Sequence, residues 1–418
     1  MTSTDRAPSK PPLRDAVVAL RVPEFKRFWF AALISSSGSW LQGLASPFVM
    51  FQITQSGAWV GASVFAIMLP MAIVGPLAGP LADRISRRQI LLLTQTLLSV
   101  FAFGFALLWW TGVRNPWIYV LAMVGYGTIN GFNMPAWQAY VSDLVPRELL
   151  TNAITLNSAQ FNAARALGPS IGGLVLAFLG PGWAFFGNSA SFVIVVLVLT
   201  TLPATVPSGT TSESPLVQFA AGWRYARSHR GITTAFIAAG VVGVLGGTLA
   251  QVHLVLFAER VFMVDEFRFG LLVSAFGLGA ITLTPWLASV GTMTRRSRLL
   301  VTGIATYGIG ELILSATEIY TVGLIGVFIA GASHMTMATT TNSTVQLMVD
   351  DAMRGRVMSL YLVVFTLAMP FGAVVEGPLA DAFGPRVVVS TMGVLLLVSA
   401  GLLVVTGRAR SFDQVSVT

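Results

Sequence analysis

A chain of 418 residues that is 55% hydrophobic and only 10% charged, with a mean hydropathy of +0.76, cannot turn most of its surface to water, because soluble domains carry about a quarter charged residues. Its net charge of +8 sits in short clusters between apolar runs and forms no basic face, which argues against nucleic acid as a partner. With no cysteine, disulfides, thiolate zinc sites and thiol catalysis are excluded, and the three histidines, His229, His253 and His334, are too scattered to suggest a metal site.

Residues 1–27 are polar and charged, unlike a cleavable secretion signal. Beyond them, runs of roughly 20 apolar residues, the length needed to cross a bilayer core, predict spans at 28–53, 58–80, 89–111, 116–139, 151–178 and 183–203, then 232–257, 269–291, 299–316, 320–345, 357–380 and 386–406. The expected fold is therefore an all-α integral membrane protein of twelve transmembrane helices. The segments that are cytoplasmic when both termini are inside hold twenty Lys and Arg, against four (Arg114, Arg260, Arg268 and Arg386) on the other side. The polar stretch 204–231 is rich in Pro, Ser and Thr, then basic (WRYARSHR). It reads as a flexible linker followed by a helix on the inner surface. That divides the chain into an N-terminal segment 1–27, a six-helix bundle 28–203, the linker, a second six-helix bundle 232–406 and a tail 407–418. Matches at an offset of 204 residues (Leu156 with Leu360, Gly168 with Gly372, Gly173 with Gly377) imply that the bundles are related, an architecture of many secondary transporters.

Between the second and third spans the chain reads Gly79-Pro-Leu-Ala-Asp83-Arg84-Ile-Ser-Arg87-Arg88. A glycine there allows close helix packing. An acid among arginines at a helix end can cap a neighbouring helix or pair with them, a latch that releases when the bundles rock. In the fifth span, Ala164-Arg165-Ala-Leu-Gly168-Pro169-Ser-Ile-Gly172-Gly173 combines a kink with small residues for tight packing.

The first of these strings resembles the signature loop of the major facilitator superfamily, complete at Gly79, Asp83, Arg84, Arg87 and Arg88. The second is similar to that superfamily's antiporter motif, with Ala164 in place of its first glycine. The stretch from Pro135 to Gly173, together with Arg354-Gly-Arg-Val-Met-Ser-Leu and Gly377-Pro-Leu-Ala-Asp381, looks like the enterobactin-exporter branch. The resemblance implies the two-bundle facilitator fold, export by antiport, a monomer and no cofactor. One departure is that Gly38-Ser39-Trp40 stands where many proton-coupled drug exporters carry an acid.

Ionisable groups inside the spans are expensive and need a role. Arg165 falls near a midplane, as do Glu311 and His334, while Glu376 lies further towards the outer side. Since helix 11 lines the cavity in the family, Glu376 is the expected proton carrier, with Arg165 as counter-charge or substrate anchor and Glu311 and His334 as further candidates. A wet group at the outer mouth, a local pair and a packing residue are the alternative roles of Glu376, Glu311 and His334. Trp40, Gln42, Asn130, Asn133, Trp137, Gln160, Asn162, Asn342 and Gln346 are candidate linings of an apolar cavity with a few polar groups, each equally able to serve helix packing. No catalytic residue set and no phosphate-binding loop of the form G-x-x-x-x-G-K-[ST] is present, so neither an enzyme nor an ATP-driven pump is expected. The leading expectation is a proton-coupled exporter of small amphipathic molecules (drugs, siderophores or related metabolites) in a bacterial inner membrane. A proton-coupled symporter, a channel and a non-transporting scaffold are the alternatives.

Overall fold

Proline and glycine set the helix ends. The computed structural model describes residues 15–204, 215–282 and 295–413. Prolines at the first position start α1 (Pro23–Thr54), α4 (Pro116–Asp143) and α6 (Pro181–Thr200), where a missing amide proton costs nothing and the fixed φ is already helical. Asn115 accepts from the Trp117 amide at 3.0 Å and completes the start of α4. Between them lie α2 (Gly57–Arg84), α3 (Arg87–Trp110) and α5 (Leu150–Leu179). A surface helix, α7 (Pro215–Ser228), leads to α8 (Arg230–Leu245) and α9 (Leu254–Arg260). Then follow α10 (Glu266–Thr282), α11 (Arg296–Ala316), α12 (Tyr320–Met348), α13 (Asp351–Phe383) and α14 (Pro385–Val405). Among the described residues, nine helices are long and apolar enough to cross a membrane. Leu121, Phe178, Leu93 and Leu197 stand 61–79% exposed on the outside of the bundle, a surface suited to acyl chains rather than to water.

Most helices run a few residues past the apolar stretches predicted from sequence, α1 beginning at Pro23 and α13 at Asp351. The reason is that a helix continues to the membrane surface through charged residues that hydropathy counts against it. The predicted span 269–291 begins within α10, and its second part, 283–291, lies outside the described residues; so do 1–14, 205–214 and 414–418 of the predicted terminal and linker segments.

One helix departs from regularity. After Leu245, Gly246 and Gly247 lead into a π-helical turn at Leu249–His253 before α9 begins. A Cβ at Gly246 would collide with the Tyr307 ring, and the Tyr307 hydroxyl donates to the Gly246 carbonyl, so α11 occupies the notch the glycine leaves. Such bulges interrupt the backbone ladder and concentrate at functional positions.

The first six helices pack on one another and the later helices do likewise, with α2 lying along α13 and α5 along α10. Small residues mediate both crossings. Gly57 meets Gly377, Gly61 sits against the Ala373 carbonyl, and Gly173 meets Gly270. Positions 204 apart occupy matching places: Gly168 packs on α1 at Trp40 and Gly372 on α8 at Val244, while Gly173 and Gly377 face the crossings with α10 and α2. These crossings lie at the end of the bundle remote from where α1 begins, hereafter the distal end. A Gly61→Val substitution is expected to force α2 and α13 apart at ~1–3 kcal/mol of overpacking. The readout is a lower melting temperature of the purified protein in a fixed detergent; an unchanged value would mean that the crossing is soft.

Candidate functional site

The break between α8 and α9 carries a buried polar cluster. Glu376, 1% exposed on α13, accepts a hydrogen bond from the Thr248 hydroxyl and lies 2.7 Å from His253 Nε2. Thr248 and His253 flank the π-turn, so the irregular backbone aims both at one carboxylate. Neither Glu376 Oε1 nor His253 Nδ1 has a hydrogen-bond partner among the described residues. A buried carboxylate needs hydrogen bonds or a compensating charge, and Thr248 and His253 supply its contacts here.

Other ionisable groups converge on this pair. Tyr307 on α11 interacts electrostatically with Glu311, Glu376 and Arg165. Glu311, one turn further on, is 1% exposed, feels the charge of Glu376 and leaves Oε2 without a partner among the described residues. His334 on α12 is enclosed by the rings of Phe276, Tyr307 and Phe365 at 5.7, 5.8 and 6.1 Å. Arg165 approaches from α5 with its guanidinium 5.9 Å from the Trp40 ring and acts electrostatically on His334. It has no carboxylate ion pair among the described residues. Glu376, Glu311, His334 and Arg165, scattered over 212 residues of sequence, thus share one electrostatic neighbourhood. His253 and Thr248 were missed in the sequence reading. The usable clue was a histidine six residues after a Gly-Gly pair inside an apolar run.

A small cleft adjoins the cluster, lined by Trp40, Gly43, Pro47 and Pro169 on one side and by Ala250, Gln251 and Phe269 on the other. It lies between α5, at Pro169, and the π-turn. The glycines of the α5 motif face it and its neighbours: Gly168 against Trp40, Gly172 against Leu44, and Gly173 against Gly270.

The remaining sequence candidates lie elsewhere. Gln42 accepts from Asn188 at 2.7 Å, and Asn133 accepts from Thr94 and Gln95 at 2.9 and 3.1 Å, each pair joining two of the first six helices. Trp137 packs on Phe28 with ring centroids 4.6 Å apart. Asn130 donates to its own helix at Tyr126, and Asn342 accepts from Gln346 on α12. Gln160 is buried and Asn162 half-buried on α5. At the start of α3, Arg87 pairs with Asp143 at 2.6 Å. Arg88 donates to the Leu199 and Thr200 carbonyls at 2.7 and 2.9 Å, where a cation suits the end of α6. The side chains of Asp83 and Arg84, and Gly79, lie outside the described set.

The transmembrane secretion effector family model of the major facilitator superfamily matches residues 15–417. The chain belongs to that family. It is similar to the enterobactin exporter EntS of Citrobacter koseri, at 25% identity over 401 residues that cover 94% of each chain. Similarity to the EntS of Escherichia coli O1:K1 / APEC is 26% over the same share. Among solved structures it resembles a bacterial homolog of the human lysosomal transporter Spinster in an inward-facing, unoccupied conformation, with a TM-score of 0.76, 16% identity and coverage of 95% of this chain and 99% of that one. The nucleoside transporter NupG gives a TM-score of 0.75 at 13% identity, covering 92% and 99%. The two structural likenesses establish a facilitator fold, and the protein is a multi-pass membrane transporter.

Proposed function

We propose that this chain is a proton-coupled exporter of small amphipathic molecules, a twelve-span monomer of a bacterial inner membrane with both termini in the cytoplasm. In this reading the first six and the last six spans form two rocking bundles joined by the segment containing α7, and the distal end is the outer face. The observation that carries it is the buried Glu376 held by His253 and Thr248 at the break of a helix. A permanently charged lysine or arginine pair there would be structural; a carboxylate with an imidazole can take up one proton and release it again.

Exchange requires that proton and substrate use the two orientations in turn. With the outer side open, Glu376 takes a proton from outside and substrate leaves. With the inner side open, the proton departs to the cytoplasm and substrate enters between the bundles, in space that opens around the small cleft beside Trp40 and Pro169. Arg165, next to that cleft and electrostatically linked to Tyr307 and His334, serves as substrate anchor and as the charge that senses Glu376 through Tyr307. The Trp40 ring beside the Arg165 guanidinium favours an amphipathic ligand with at least one acceptor for that guanidinium. The similarity to proteins named as enterobactin exporters supports a siderophore-like or drug-like substrate and the outward direction. The test is proton movement in liposomes of purified protein challenged with a panel of such compounds. A compound that triggers saturable, counterflow-competent proton release supports the reading; saturable transport with no proton movement would leave the carrier and remove the coupling.

A further inference from the structure

At the distal end a carboxylate near the end of α13 bridges to a second helix. Asp381 reaches across to the start of α2, where its oxygens accept from Ser56 Oγ at 2.6 Å and from the Gly57 and Ala58 amides at 2.7 and 2.9 Å. It therefore caps α2 in place of a residue of α2's own segment, a charged acceptor at the positive end of a helix dipole. Arg260, the last residue of α9, adds an ion pair to Asp381 at 2.9 Å, donates to the Gln55 carbonyl and lies 5.2 Å from the Phe51 ring. Beside it Gln52 donates to Glu259 at 3.1 Å. At 27–29% exposure the ion pair alone is partly screened, so the two backbone amides carry most of the hold.

Two further observations point to a gating role. The string Gly377-Pro-Leu-Ala-Asp381 is identical to Gly79-Pro-Leu-Ala-Asp83, and the two stand at opposite ends of the pair of helices, α13 and α2, that lie along each other. The second observation concerns where the latch is mounted. Arg260 follows His253 by seven residues, two turns and roughly 10 Å along one face, and Asp381 follows Glu376 by five. The same two elements that meet at the buried pair meet again at the latch.

We infer that Asp381, with Arg260 as its support, is the outer gate of this transporter: it caps α2 when the outer side is closed, lets go when that side opens, and is released through the His253–Glu376 pair. The release half of this statement, and the assignment of the distal end to the outside, rest on the reading above; the latch itself does not. The groups acting on Glu376 that would set such a response are His253 and Thr248 from the broken helix and Tyr307 and Glu311 from α11, with Arg165 of α5 linked to them through Tyr307 and His334 of α12 through Arg165.

Because the chain has no cysteine, spin labels can be placed at Leu179→Cys and Ile319→Cys alone, both exposed at the distal end, one in the first six helices and one in the later set. Distances between them are measured by pulsed electron paramagnetic resonance in lipid nanodiscs, without substrate. In Asp381→Ala, which removes the cap and the ion pair together, the long-distance population is expected to rise about tenfold over the otherwise unaltered labelled protein, and in Arg260→Gln to rise less, since the backbone cap survives. Distributions that superimpose on the parent in both variants, with the protein folded, would overturn the latch. The parent is also expected to change its distribution between acid and alkaline buffer, and Glu376→Gln to abolish that change. If Asp381→Ala opens the distal end while the parent ignores pH, the latch stands and the proton reading fails.

Discussion

Glu376→Gln is expected to abolish substrate-driven proton movement while leaving the protein folded and able to exchange labelled for unlabelled substrate. Glutamine keeps the size of the side chain and offers a carbonyl oxygen to Thr248 and His253, so both hydrogen-bonded neighbours retain a partner. What it removes is a proton that can come and go. The expected loss of coupled flux is on the order of 10²-fold or more, the scale at which removing a positioned proton-transfer group acts. Glu376→Ala is a different experiment: it strips the buried His253 and Thr248 of their acceptor, which costs about 1–3 kcal/mol for each unsatisfied group. It is therefore expected to lower both yield and melting temperature. Parallel measurement of proton flux, exchange and thermal stability separates the two. Coupled proton flux surviving in Glu376→Gln would move the proton site to Glu311.

The second large effect is expected at Arg165. Its guanidinium faces Trp40 at the edge of the cleft and has no carboxylate ion pair among the described residues, so removing it breaks no salt bridge there. Arg165→Ala should leave stability close to wild type. If it anchors substrate by a charge-assisted hydrogen bond of ~1.5–3 kcal/mol, KM rises by about tenfold to a hundredfold. Arg165→Lys keeps the charge but loses the planar fork and is expected to fall between the two. A KM unchanged in Arg165→Ala, with a reduced maximal rate, would instead assign Arg165 to conformational exchange rather than to substrate.

How much of this was legible beforehand follows from what each feature depends on. Membrane-crossing helices depend on run length and composition, which is why apolar stretches such as 89–111 and 320–345 reappear almost unchanged as α3 and α12. The break after α8 depends on backbone geometry, to which hydropathy is blind: Gly246 and Gly247 sit in an apolar run and look like ordinary close-packing glycines. His253 was weighed only as a metal ligand and judged too isolated, yet its partner is Glu376, 123 residues away, brought there by α13 lying against α8. Gln42 and Asn133, for which the sequence left cavity lining and helix packing equally open, illustrate the reverse case. A polar residue in an apolar helix signals that something must satisfy it, but not whether a ligand or a neighbouring helix does so, and here Asn188, Thr94 and Gln95 do. The internal repeat was richer than the positions first noticed. Gly180-Pro181 and Gly384-Pro385 also stand 204 apart, both glycines at positive φ (83° and 85°), and each pair turns one long helix into the next.

The most direct test of the central claim is substrate accumulation driven by an imposed pH gradient. Liposomes of purified protein would start with equal substrate on both sides and no membrane potential. Proton-coupled export predicts that substrate becomes concentrated on the acidic side, and that Glu376→Gln leaves it equal on both. Accumulation on the alkaline side would mean symport, and no accumulation in the wild type, despite saturable exchange, would contradict proton coupling altogether.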